Sequence, residues 1–100
     1  MRVVQDAVEF EWDKGNIGKN LKHDVEDNET EEVFLDKRRF VFKDHLHSGN
    51  EERFRILGKT KKSRLLFIVF TKRRKKIRVI SARNINKKEV HLYEEKINHS

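Results

Sequence analysis

Apolar positions along this chain change their period, and each change marks an element. Residues 8–12 (Val-Glu-Phe-Glu-Trp) alternate apolar and acidic, as a short strand does. Asp13 stands where a helix N-cap would, its carboxylate able to accept from the free N–H groups of a following turn. A helix to about His23 is expected there, with Ile17 and Leu21 one turn apart and with Gly15 and Gly18 weakening it. Asp27 or Asn28 can cap a second helix, whose Glu29, Glu31 and Glu32 suit the positive end of its dipole and whose Val33 and Phe34 face inward.

From residue 38 the period becomes two. Arg39, Val41 and Lys43 alternate with Arg38, Phe40 and Phe42, and after a turn over 45–50, Phe54, Ile56 and Gly58 alternate with Arg53, Arg55 and Leu57. Residues 59–63 read as a basic turn. Leu65 to Phe70 is apolar on both faces, which marks a central strand. Residues 71–76 read as a tight basic loop. In the next strand Ile77, Val79 and Ser81 share one face and Arg78, Ile80 and Ala82 the other. Asn84 or Asn86 caps a last helix to about Lys96, with Val90, Tyr93 and Ile97 along one side. The expected fold class is α+β. A short N-terminal strand and two helices pack on a four-stranded antiparallel meander, and a C-terminal helix lies beside a sheet face lined with alternating arginines.

At 100 residues the chain is sized for one domain, 1–100, with one modest core. Charged residues make up 41% of it, but seven Phe, one Trp and one Tyr give it large groups to bury, unlike a disordered chain. With no Cys, disulfides, thiolate metal sites and a cysteine nucleophile are excluded, which fits a reducing cytoplasm. Met1 to Phe10 carries Arg2, Asp6 and Glu9 and no long apolar run, so no signal peptide is expected. The longest apolar run, Leu65 to Phe70, is too short to span a bilayer.

Charge is divided unevenly. Residues 1–50 carry 8 Lys/Arg against 12 Asp/Glu, while residues 51–100 carry 16 against 5. Between Arg53 and Lys88 lie 15 Lys/Arg and no acid. Such a stretch repels itself unless it meets a polyanion, and nucleic acid is the commonest one. The competing reading is a solvated basic surface kept for solubility.

Several segments, in order, resemble one family. Phe10-Glu11-Trp12-Asp13, Asn20, Lys22-His23 and Glu32-Val33-Phe34-Leu35-Asp36 are similar to the N-terminal half of BrnT-type toxins. Glu51-Glu52-Arg53-Phe54 and Gly58 resemble its middle. Arg64-Leu65-Leu66, Phe70-Thr71, Ile77-Arg78-Val79-Ile80-Ser81-Ala82-Arg83, Glu89 and Tyr93-Glu94-Glu95 resemble its C-terminal half. The chain departs from that pattern at Asn16, at Asp27, at Lys37 and in the spacing between Asn20 and His23. The resemblance implies a RelE-like fold, a toxin that cleaves messenger RNA in the cytoplasm, and a DNA-binding antitoxin of BrnA type that blocks it and represses their operon. A toxin homodimer inside that complex is the expected assembly.

Metal-independent RNA cleavage uses the 2′-hydroxyl as an internal nucleophile. One group takes its proton, another protonates the leaving oxygen, and cations stabilise charge on phosphate. Arg suits the last task because its planar fork binds phosphate at two points. Arg64 and Arg83 are the candidates, at facing ends of neighbouring strands, with Arg53 and Arg78 as further phosphate contacts; pairing with Glu52 or Glu89 is the alternative for each. His47, Glu52 and Tyr93 are the candidate acids and bases. Against these stand a solvated His47, an ion-paired Glu52 and a core Tyr93. Asp44, His45 and His47 sit close in sequence, but no fourth metal ligand is obvious, and no cofactor is expected. Without a glycine-rich phosphate loop, nucleotide hydrolysis is unsupported. Two other functions share the basic stretch: a non-catalytic RNA-binding or ribosome-associated module, and a protein-interaction domain for an acidic partner.

Overall fold

The computed structural model describes residues 9–98. In chain order these form β1 (Glu9–Phe10), a 3-10 helix (Lys19–His23), α1 (Asp27–Val33), β2 (Phe40–Lys43), β3 (Arg53–Lys59), β4 (Leu65–Arg73), β5 (Lys76–Asn84) and α2 (Lys87–Asn98). The strands make one five-stranded sheet in the order β1-β5-β4-β3-β2. The antiparallel meander over β2 to β5 is present, but the expected four-stranded sheet gains a fifth, parallel member where β1 pairs with β5. Val8, read as part of that first strand, lies outside the described residues, as does most of the segment read for a signal peptide.

The expected helix over 13–23 does not form. A turn at Asp13 leads only to the 3-10 segment, and Gly18 enters it with φ 66°, a left-handed conformation that glycine adopts without strain. Ile17 and Leu21, the apolar pair that suggested the helix, are 59% and 60% exposed. The buried residues are Asn16 and Asn20. Asn16 Nδ2 donates to the carbonyls of Glu11 and Val79, and Asn20 Oδ1 accepts from the Ala82 N–H. β1 is too short to cover the β5 edge, so this loop satisfies the remaining backbone groups with side-chain amides.

α1 begins with a reciprocal capping box, Glu26 with Glu29, which satisfies two orphan donors. It buries Val33, with Phe34 just beyond, against one sheet face. Phe10, Phe34, Phe70 and Phe54 form a chain of ring contacts there, with centroids 5.3, 5.0 and 5.5 Å apart. Aromatic pairs of this kind contribute about 0.5–1.5 kcal/mol each beyond area burial. Gly58 on β3 lies against Val33 at the end of α1. A Cβ there would stand 2.9 Å from Val33 Cγ1 and 3.2 Å from Asp36 Oδ2.

α2 covers part of the opposite face, where Leu57, Phe67 and Tyr93 form a second, smaller core. Its cap is Asn86, whose side chain accepts from Glu89 N–H while the Glu89 carboxylate accepts from Asn86 N–H. The basic loop expected over 71–76 is tighter than its sequence span: the strands run to Arg73 and restart at Lys76, and Arg74 takes φ 60°.

Strict alternation in β5 also fails. Val69 pairs with Ser81 but Phe70 with Val79, so Ile80 is an extra residue in a β-bulge. Ile77, Val79 and Ala82 therefore share the α1 face, in place of the expected Ile77, Val79 and Ser81. Arg78 and Arg83, five residues apart, both fall on the α2 face of the sheet.

Candidate nucleic-acid interface

β3 presents Arg53 and Arg55 alternately with Phe54 and Ile56, which are buried toward α1. Arg55 therefore crosses the α2 face, where its Cζ lies 5.3 Å from the centroid of Phe67. Arg83 on β5 lies over the same ring at 4.2 Å. The register explains the meeting: Phe67 on β4 pairs with Leu57 on β3 and with Arg83 on β5.

Asp44 closes β2. Its carboxylate is 4% exposed and lies 3.1 Å from Arg55 Nε and 3.0 Å from His47 Nδ1. The Arg55 contact is off-line for a hydrogen bond, so it is chiefly ionic. Burial pushes the Asp44 carboxyl up, but the contacts from His47 and Arg55 outweigh it and hold the pKa below the usual value. An ionised carboxylate only accepts, so it selects the His47 tautomer with hydrogen on Nδ1 and leaves Nε2 as the free lone pair. The loop holding His47 is closed by its own bonds: Ser48 Oγ donates to Asp44 O, and Arg53 N–H donates to Ser48 Oγ. The imidazole itself is 60% exposed.

Arg83 donates both ends of its fork to the Glu89 carboxylate at 2.9 and 2.8 Å and also reaches Asn84 O. This hydrogen bonding raises the Arg83 pKa, and it lowers that of Glu89 against the opposing effect of burial. Among the described residues, Arg53 has no side-chain hydrogen bond or salt bridge.

The other sequence candidates are engaged in contacts outside this group. Arg64 reaches the α1 side, where Nη1 bonds Asp24 O and the Glu29 carboxylate and Nε bonds Asn84 Oδ1. It lines a cleft of about 410 Å³ with Glu29, Glu32 and Lys62. Arg64 and Arg83, although their strand ends are neighbours, thus point to opposite faces. Arg78 is forked onto Asp13, with Glu11 beside it. Glu52 pairs with Lys43 at 3.7 Å, on the sheet face that carries Phe54, which Lys43 opposes in register. Tyr93 is buried, and its hydroxyl donates to Asp36 Oδ2 at 2.6 Å; burial and that carboxylate push the phenol well above its ordinary pKa.

The structure thus brings His47 and Arg83 to one face, meets the alternative reading of Arg83 as paired with Glu89, and adds Asp44, Arg55 and Phe67 in new roles. Arg55 was legible as one of the alternating arginines. The Asp44-x-x-His47 spacing was a second signal, read there only as a metal question. Among the described residues, no group of three or more His, Cys, Asp or Glu side chains is placed to hold a metal ion. No described helix is long and apolar enough to cross a membrane.

The α2 face therefore offers arginines and an oriented imidazole around a buried aromatic ring, a set suited to RNA phosphates. No curated protein matches the chain. The family model described as a ribonuclease toxin, BrnT, of type II toxin–antitoxin system matches residues 12–89. With most of its length matched, the chain belongs to the BrnT family of type II toxin–antitoxin ribonuclease toxins, a membership that implies an RNA substrate and an antitoxin partner.

Proposed function

We propose that this toxin is a metal-independent endoribonuclease whose working groups lie on the α2 face of the sheet. The observation that carries this reading is the buried Asp44 carboxylate, which orients His47 and Arg55 together beside Arg83. In this reading His47 Nε2 takes the proton of a 2′-hydroxyl. The 2′-oxygen attacks phosphorus, the bond to the 5′-oxygen breaks, and a water protonates that oxygen as it leaves. The products are a 2′,3′-cyclic phosphate and a 5′-hydroxyl. Arg53 and Arg55 lie where they can neutralise the charge that builds on phosphate, and Arg83 adds to the field. Arg64, Arg78, Glu52 and Tyr93, first considered for phosphate binding or proton transfer, act as structural groups.

The remaining features follow from family membership as proposals. One domain carries the activity, messenger RNA is the substrate, and translation stops in the cytoplasm. A DNA-binding antitoxin of BrnA type neutralises the toxin, which forms a homodimer inside the complex.

The test is incubation of the native protein and a His47→Ala variant with a defined RNA in EDTA. Cleavage by the native protein alone, giving cyclic phosphate ends, is expected. Cleavage abolished by EDTA, or undiminished in His47→Ala, overturns the mechanism. Salt-sensitive binding with no product in either sample points instead to a non-catalytic RNA-binding module.

A further inference from the structure

Arg83 is placed unlike a phosphate-binding arginine. Its fork is already filled, because Glu89 accepts from both terminal nitrogens and Asn84 O takes a further hydrogen. The guanidinium carbon lies over the Phe67 ring, 4.2 Å from its centroid. The side chain is nevertheless 41% exposed. With one end and one face occupied, its outer face is the natural source of that exposure. Glu89 is itself fixed through the Asn86 cap, so the guanidinium plane is held rigidly. A rigid, flat, partly neutralised cation backed by an aromatic ring is built to stack.

We propose that Arg83 is the base-recognition platform of this site, and that an unpaired nucleobase of the RNA stacks on its outer face to form a Phe67–Arg83–base ladder. The inference rests on the ribonuclease reading and assigns Arg83 substrate selection in place of bond cleavage. Arg55, next to the same ring, remains for the phosphate of the nucleotide so held. Stacking tolerates every base but favours purines, which have the larger π-face. The selected position is therefore a purine in a single-stranded segment.

The test uses RNA oligonucleotides that resist cleavage because each 2′-hydroxyl is methylated, with 2-aminopurine placed at one position in turn. Binding to the native protein quenches the fluorescence at one position. Arg83→Lys keeps the charge and the Glu89 pairing but removes the plane. It loses the quench, and affinity falls on the order of tenfold, as when one stacking contact is removed. On cleavable RNA the same variant still cuts but loses its purine preference, with KM raised more than kcat is lowered. Thermal melting of Arg83→Lys beside the native protein shows that both are folded. An unchanged quench and cleavage pattern in Arg83→Lys sinks the stacking role while leaving the ribonuclease intact. A native protein that binds none of the probes and cuts no RNA overturns both.

Discussion

Three side chains on the α2 face separate chemistry from support, and single substitutions tell them apart. His47→Ala removes the one imidazole that Asp44 orients, and cleavage falls by about 10²–10⁴-fold with little change in melting temperature. Asp44→Asn keeps the shape but removes the charge between His47 and Arg55. It lowers both cleavage and stability, because it leaves Arg55 partly buried without its counter-ion. Tyr93→Phe deletes a donor to Asp36 at a buried site and costs about 1–3 kcal/mol of stability, read by chemical denaturation, while the cleavage rate is retained. His47 was legible from its side-chain chemistry alone. Arg55 was visible as one arginine among several, and nothing local distinguished it from Arg64. That difference comes from strand parity and from Asp44, which meets Arg55 only once β2 pairs with β3. Phe67 read as ordinary core, and its contact with two guanidiniums depends on both neighbouring strands.

At the scale of elements, the strands were legible and the first helix was not. β2 to β5 stand close to where alternation put them, because a half-buried strand writes its two faces directly into sequence. α2 begins at its expected asparagine cap, whereas α1 starts one residue early, capped by Glu26 in place of Asp27 or Asn28. The 13–23 segment misled because its apolar pair, Ile17 and Leu21, faces solvent, while buried polar Asn16 and Asn20 satisfy the β5 edge. Buried polar residues carry no periodic signal, so this loop could be found only through its long-range partners. Gly58 on β3 leaves no room for a side chain beneath the end of α1. Gly58→Ala forces its Cβ against Val33 and Asp36, and the overpacking costs about 1–3 kcal/mol in a denaturant titration. A variant as stable as the native protein would show that α1 is free to move off the sheet.

Across the whole molecule, the charge asymmetry of the sequence is largely recombined in space. Arg55, Arg64, Arg73, Lys76 and Arg78 from the basic half pair with Asp44, Glu29, Glu11, Glu9 and Asp13 from the acidic half. The long basic stretch is thus held partly by the protein's own carboxylates, which the order of charges along the chain did not reveal. RNA binding should accordingly show a reduced salt slope, at most about 6 at roughly 0.7 per phosphate contact on a single strand, because six of those 15 Lys/Arg are already paired. A slope approaching that of all 15 Lys/Arg in the stretch would mean that the internal pairs open on binding. Acid stability follows from two of these pairs, Arg64–Glu29 and Arg55–Asp44, together with the Tyr93–Asp36 and Arg83–Glu89 contacts. The carboxyls of Glu29, Asp36, Asp44 and Glu89 all have lowered pKa values. Such groups contribute stability that is fully present above the unfolded pKa of about 4 and is lost as pH falls through the lower folded values. Melting temperature should therefore stay nearly level from pH 7 to about 5 and drop below about 4, less steeply in Glu89→Gln.

The bulge at Ile80 acts on side chains as a frameshift acts on codons. Residues five apart in a regular strand face opposite ways, yet the extra residue puts Arg78 and Arg83 in phase. Deleting Ile80 would restore regular pairing and leave Val79, Ser81, Ala82 and Arg83 on the faces they now occupy. A single-residue loss here removes the extra residue and stays in frame for both the site and the core. A second loss has no extra residue left to absorb it, and it turns either Arg83 or the Ile77–Val79 pair to the wrong side of the sheet.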